Sequence, residues 1–158
     1  MLALSFTSNL FSTTANMKIK MEPPFILLIQ AAEAAVAAHP GKLNVISVSR
    51  DKPVDSKLCK NHLILRIDDF DTDAKEMPAP FRYAELEDIQ AALDFDKKHK
   101  VHIIHCGAGI SRSPAIGYAI FRGRGLSKDD AMREVMERVP PAMPNKRIVK
   151  LTDQLFGD

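Results

Sequence analysis

What the chain has little of narrows its reading first. No stretch of its 158 residues approaches the length of apolar sequence that spans a bilayer, so no membrane partner is expected. Charge of one sign is also scarce. The 22 Lys and Arg stand against 20 Asp and Glu, a formal net charge of +2, and no basic run gathers the cations, so no nucleic-acid partner is expected. There is no Gly-Lys-Ser/Thr for a nucleotide triphosphate loop, and Gly107-Ala108-Gly109 lacks the third glycine of a dinucleotide loop. His99, His102 and His105 have no matching set of cysteines or carboxylates, which argues against zinc; neither a metal nor a cofactor is expected. Internal repeats are absent, and the length suits one core and not two ordinary domains. The apolar share of 46% and charged share of 27% are those of a globular protein.

What is present concentrates between Val101 and Pro114. The apolar, β-branched run Val101-His102-Ile103-Ile104 ends at His105-Cys106, a glycine-bearing turn follows, and Pro114 opens an alanine- and isoleucine-rich helix. A loop between a strand and a helix N-terminus collects backbone N–H groups that no helix carbonyl uses, and the helix dipole adds partial positive charge. An oxyanion is therefore welcome there. The same field, with the fixed cation of Arg112, stabilises an anionic sulfur on Cys106, and the thiolate is the nucleophilic form. The planar fork of Arg112 closes the other side of the loop, where it suits two oxygens of a phosphoryl group. Nucleophile and clamp thus face one phosphorus.

Elements alternate along the rest of the chain. Phe25 to Gln30 reads as a buried strand and Ala31 to Ala38 as a helix stopped by His39-Pro40-Gly41; Leu43 to Val48 and His62 to Ile67 read as further strands. Asp68 to Pro80, with four aspartates and two prolines, is expected to be a surface loop. Leu86, Ile89 and Leu93 place a helix over Tyr83 to Lys98, and Ser113 to about Phe121 is apolar nearly all round, as in a central helix. Ser127 with Asp130 resembles a capping box ahead of a helix carrying Met132, Val135, Met136 and Val139, and a last helix carries Ile148, Leu151 and Leu155. The alternation predicts an α/β fold, a central, largely parallel sheet of four to five strands flanked by helices, with ligands at the carboxyl ends of the strands. Residues 1–20, rich in Ser, Thr and Asn, are expected to form a disordered or loosely attached tail, and 21–158 a single catalytic domain.

His105-Cys106, five residues, then Arg112-Ser113 resembles the signature of the cysteine-dependent protein tyrosine phosphatases, and Ala108-Gly109-Ile110-Ser111-Arg112-Ser113 is most similar to its dual-specificity branch, with which a bacterial source is compatible. The match is dense, which separates it from the bare cysteine-to-arginine spacing that rhodanese-like loops also show. It covers about Leu63 to Phe156, and the first sixty residues only loosely.

The resemblance implies a protein tyrosine phosphatase-like fold and hydrolysis of phosphotyrosine, with phosphoserine and phosphothreonine admitted to a shallow site. Phosphate would be bound by Gly107, Ala108, Gly109, Ile110, Ser111 and Arg112. It implies a general acid on the loop after a strand, a role carried to Asp69 in Leu65-Arg66-Ile67-Asp68-Asp69; Asp68 is the runner-up, and Asp71 and Asp73 fit less well. Without the resemblance, that acidic cluster would read as a solvated loop. Ser113 is placed to donate to the cysteine sulfur as the phosphocysteine breaks down, and could equally be a plain N-cap. His105 is implied to order the loop by hydrogen bonding, and Asn145, in Pro144-Asn145, to be a cap or loop support and not a catalytic residue. The substrate is expected to be a phosphorylated protein or peptide; the alternatives are a phosphoinositide, an RNA 5′ end, or a phosphoryl-binding module without turnover. Cys59 and Cys106 could in principle pair, but a nucleophilic Cys106 must stay reduced, so the expected location is the cytoplasm. Cys59 as a resolving thiol is weighed against the plainer reading of a bystander.

Overall fold

The computed structural model describes residues 22–71 and 80–158. The tail expected at 1–20 and the candidate acid Asp73 lie outside the described residues. Four strands form one sheet in the order β1-β4-β2-β3: β1 (Phe25–Leu27), β2 (Asn44–Val48), β3 (Asn61–Leu65) and β4 (Ile103–His105), with every pairing parallel. Five α-helices accompany them among the described residues: α1 (Ile29–Ala38), α2 (Leu86–His99), α3 (Arg112–Gly123), α4 (Lys128–Arg138) and α5 (Lys146–Leu155).

The strands are apolar on both faces because both faces are covered. Side chains of a strand alternate between faces, and successive residues accordingly join different clusters. Phe25, Leu27, Val45 and Ile103 pack with Ala32, Ala35 and Val36 of α1. Ile46, Val48 and Ile104 pack on the other face with Ile89 of α2, Ile116 and Ile120 of α3 and Ile148 of α5. Helix α3 is buried continuously from Ser113 to Arg122, the central helix its all-round apolar sequence predicts. It lies close to the sheet at Gly117, where an added Cβ would come within 2.5 Å of Ile26 Cδ1.

Several boundaries differ from the sequence reading, each for a local reason. β1 stops at Leu27 and the helix already includes Ile29, because the Ile29 N–H is spent on the carbonyl of Gly107 at 3.0 Å. β3 ends at Leu65, opposite the last residue of β2, Val48, and Ile67 lies beyond the ladder. Helix α2 begins at Leu86 and not at Tyr83, since Glu85 and Asp88 form a reciprocal capping box there. At α4 the Ser127 hydroxyl accepts from the Asp130 N–H at 3.2 Å, as the Ser-Asp pair suggested. No helix of the described residues is long and apolar enough to cross a membrane.

Candidate active site

All four strands run the same way, so their carboxyl ends share one edge of the sheet, and the turn from β4 into α3 stands on that edge. Its shape depends on Gly109. This residue has φ +74°, and a Cβ there would sit 2.8 Å from the Leu28 nitrogen and 2.9 Å from the Leu27 carbonyl carbon. Only a residue without a side chain meets both conditions. The loop is also tied at its flanks, by Ile29 N–H to the Gly107 carbonyl, Met143 N–H to the Ile110 carbonyl and Asn145 N–H to the Ser111 carbonyl, all at 2.9 to 3.0 Å.

Cys106 is 2% exposed and its sulfur has two polar neighbours, the Gly109 N–H at 3.3 Å and the Ser113 hydroxyl at 3.2 Å. Both can donate to an anionic sulfur. Ser113 is the second residue of α3 and not its cap; the cap position belongs to Ser111, which makes no side-chain capping bond. Arg112 is fixed by Nη1 donating to the Ile67 carbonyl at 2.9 Å, and its buried Nε has no partner among the described residues. Its Nη2 lies alongside Gly107, 3.8 Å from where a Cβ would be. Among the described residues no protein acceptor takes the N–H groups of Ala108, Ile110 and Ser111. Unused donors, a helix N-terminus and a guanidinium around one sulfur suit a tetrahedral oxyanion.

The acidic cluster after β3 is sorted by geometry. Asp69 Oδ1 accepts from the Ser111 hydroxyl at 2.7 Å and from Asn145 Nδ2 at 2.9 Å, which brings this exposed carboxyl group to the phosphate loop. Asp68 is committed elsewhere, to Arg50 Nε at 3.0 Å and the Arg82 N–H at 2.8 Å. Asp71 accepts from the Lys146 N–H at 2.8 Å, at the start of α5. Asn145 Oδ1 accepts from the Ile148 N–H at 3.0 Å at the start of α5, while its Nδ2 donates to Asp69 Oδ1 at 2.9 Å and to the Phe70 carbonyl at 3.2 Å.

His105 is fully buried, with Nδ1 3.2 Å from the Cys106 carbonyl and Nε2 2.6 Å from Ser47 Oγ. Burial lowers its pKa, the Cys106 carbonyl bond opposes that, and the charge of Arg112 adds to the lowering. His102 is apart from it, accepting the Asn44 N–H at 2.9 Å, and His99 packs on Phe95. Among the described residues no group of three or more His, Cys, Asp or Glu is placed to hold a metal ion. Cys59 precedes β3 and Cys106 follows β4, so the two thiols stand at opposite edges of a parallel sheet, and the resolving-thiol reading fails. Burial, then Asp55, pushes the Cys59 thiol up to about 11, the behaviour of an inert thiol.

Sequence reasoning missed the bond from Ser111 to Asp69 and the partners Ser47 and His62 behind His105. Ser111 carried a usable sign, a serine next to the clamp arginine. Ser47 had none until strand register put it opposite His105.

No family model matches the chain. Human dual specificity protein phosphatase 8 is 36% identical over 109 residues, covering 57% of this chain and 17% of that protein. The Caenorhabditis elegans tyrosine-protein phosphatase vhp-1 is 37% identical over 102 residues, covering 63% of this chain and 14% of that protein. The chain therefore spans 17% or less of the length of these two relatives. The crystal structure of human DUSP28 superposes with a TM-score of 0.59 at 25% identity, covering 84% of this chain and 93% of that one.

Proposed function

We propose that the chain belongs to the dual-specificity-like branch of the cysteine-dependent protein tyrosine phosphatases, to whose named members it is similar, and that it hydrolyses phosphotyrosine, with phosphoserine and phosphothreonine also accepted, in phosphorylated proteins or peptides. The observation that carries this reading is the convergence of Cys106 and Arg112, both from the turn between β4 and α3, with the Asp69 carboxyl group, which comes from the separate loop after β3.

In the proposed reaction the Cys106 thiolate attacks phosphorus and the P–O bond to the substrate breaks, while Asp69 gives its proton to the leaving oxygen. Arg112 and the N–H groups from Gly107 to Arg112 hold the three equatorial oxygens as charge moves onto them. Water then attacks the phosphocysteine, giving its proton to Asp69; the P–S bond breaks, and Ser113, 3.2 Å away, donates to the departing sulfur. Inorganic phosphate and the starting protonation states result. Ile110, 37% exposed, and Met143, 76% exposed, flank the loop and support a shallow site open to aliphatic phosphoesters.

The names of the relatives favour a protein substrate over a phosphoinositide or an RNA 5′ end. We also read residues 21–158 as one catalytic domain, since the described part shares a single sheet, and a reducing, cytoplasmic location as the one that keeps both free thiols reduced. The test is phosphate release from phosphotyrosine, phosphoserine and phosphothreonine peptides beside phosphoinositides and RNA triphosphate ends. Release from the peptides, fastest from phosphotyrosine, is expected, and Cys106→Ser should abolish turnover while still binding vanadate. Release from lipid or RNA alone, or turnover by the serine variant, would overturn the proposal.

A further inference from the structure

Behind the phosphate loop a file of side chains runs from the surface to the Cys106 carbonyl. Exposed Ser56 Oγ is 2.6 Å from His62 Nδ1, His62 Nε2 is 2.8 Å from Ser47 Oγ, Ser47 Oγ is 2.6 Å from His105 Nε2, and His105 Nδ1 is 3.2 Å from the carbonyl oxygen of Cys106. Register builds it. His62 pairs with Val45 across β2 and β3, Ser47 pairs with His105 across β2 and β4, and the period of two puts His62, Ser47 and His105 on the sheet face covered by α1.

The direction of each hydrogen bond follows from the loop end. A carbonyl oxygen only accepts, so His105 Nδ1 carries a proton; in a neutral imidazole Nε2 is then bare and takes the proton of Ser47. Having spent its one proton, Ser47 Oγ can only accept, from the Val54 N–H at 3.4 Å and from His62 Nε2–H. His62 Nδ1 is then bare and accepts from Ser56. Every polar atom in the file has a partner of the right kind.

We propose that His62 is a positioning residue of the phosphate loop: by donating to Ser47 it obliges that hydroxyl to donate to His105, and so holds His105 in the tautomer whose Nδ1–H fixes the Cys106 carbonyl. Without His62, Ser47 is free to accept from the opposite tautomer, Nε2–H, whose bare Nδ1 would face the lone pairs of the Cys106 carbonyl. Which imidazole nitrogen carries the proton is set by the bond the other one makes. Ser47 and His105 are both fully buried, so no bulk water can substitute for a lost partner. The file requires neutral rings, and burial favours them. It brings His62 down to about 4, with the charge of His105 in the same direction and Asp55 opposing, and it lowers His105 as well.

The catalytic consequence rests on the reading of Cys106 as nucleophile, but the tautomer does not, and the test separates them. In the ¹⁵N-labelled full chain, two-bond ¹H–¹⁵N spectra should show His105 protonated at Nδ1 alone. His62→Leu should introduce the Nε2–H form, lower kcat on an aryl phosphate about fivefold with KM little changed, and weaken vanadate binding. His62→Gln, whose amide N–H can reach Ser47, should restore a single tautomer and return kcat to within about twofold. A natively folded His62→Leu protein with an unchanged His105 tautomer overturns the proposal, as does a Gln variant no better than Leu. Absence of phosphatase activity in the unaltered chain would instead remove the proposed function and leave the tautomer result standing.

Discussion

Helix α3 carries an arginine at each end, and the two are housed in opposite ways. Arg122, 8% exposed, is tied to carboxylates: Nη1 donates to Asp153 and to the Tyr118 hydroxyl at 3.1 Å, Nη2 pairs with Asp158, and the guanidinium lies 4.8 Å from the centre of the Phe156 ring, although its buried Nε, like that of Arg112, has no partner among the described residues. Burial alone would lower its pKa, but the Asp158 and Tyr118 bonds outweigh this and raise it. Burial and the bond to Asp153 push Tyr118 up to about 12. Arg112, at the first turn, has a backbone carbonyl as its hydrogen-bond partner and no carboxylate within ion-pair distance among the described residues. A buried cation already neutralised by carboxylates fastens the fold. One bonded only to a carbonyl holds its charge for a ligand.

Exchanging the fates of these two residues gives the largest expected effects. Arg112→Ala should cost about 10³-fold in kcat/KM, near 4 kcal/mol, at almost unchanged Tm. Arg122→Met should leave the activity per folded molecule near that of the unaltered chain but cost about 3 kcal/mol of stability by taking the buried cation from Asp158 and leaving Asp153 only Lys128 and Tyr118, a fall of roughly 10 °C in Tm. Kinetics and thermal melts of both variants decide; if both lose activity and stability alike, the contrast is void. Next in size, Asp69→Ala should lower kcat about 10²-fold and flatten the basic limb of the pH–rate profile, and an unchanged limb moves the acid role to another carboxylate.

Asn145 divides the two kinds of work within one side chain. Asn145→Ser keeps an N-cap oxygen for α5 but cannot hold Asp69, so kcat should fall about tenfold with little change in Tm; an equal loss of both would make Asn145 a fastener like Arg122. The smallest effect is on pH and stability. An unfolded histidine takes up its proton near 6.5, whereas folded His62 resists to about 4, so between these values the folded state binds fewer protons and stability falls as pH falls, levelling off below about 4. Half-buried His102 and buried His105 add in the same direction. Tm measured from pH 7 to 4.5 should drop, less steeply in His62→Gln; parallel curves would show that His62 does not contribute.

The part of the site legible in the sequence was its local part. Strand, turn, Cys106, Arg112 and Ser113 lie within a few residues of one another, and their order alone dictates a cradle at a helix N-terminus. Asp69 was reachable only through the family resemblance, which puts an acid on the loop after a strand; the bonds that Arg50 and Arg82 make to its neighbour Asp68 had no sign in the sequence. Asn145 could be read as a cap but not as a holder of Asp69, a contact across a separation of 76 residues. The His62 file was invisible for the same reason. Strand register, which no local pattern encodes, creates it. The β1 boundary has a comparable cause: it reads too long because Ile29 belongs to a helix whose first N–H is used by a loop far along the chain.

The loop's flanking bonds bear on when, during synthesis, the protein becomes competent. Cys106 and Arg112 leave the ribosome before Met143 and Asn145, the residues whose N–H groups hold the Ile110 and Ser111 carbonyls. A nascent chain stalled between them therefore carries nucleophile and clamp but an unbraced loop and an Asp69 without its Asn145 anchor. The proposed phosphatase activity would switch on late, with the arrival of the segment leading into α5, and a protease cut in that segment would switch it off without touching a residue proposed to meet phosphate.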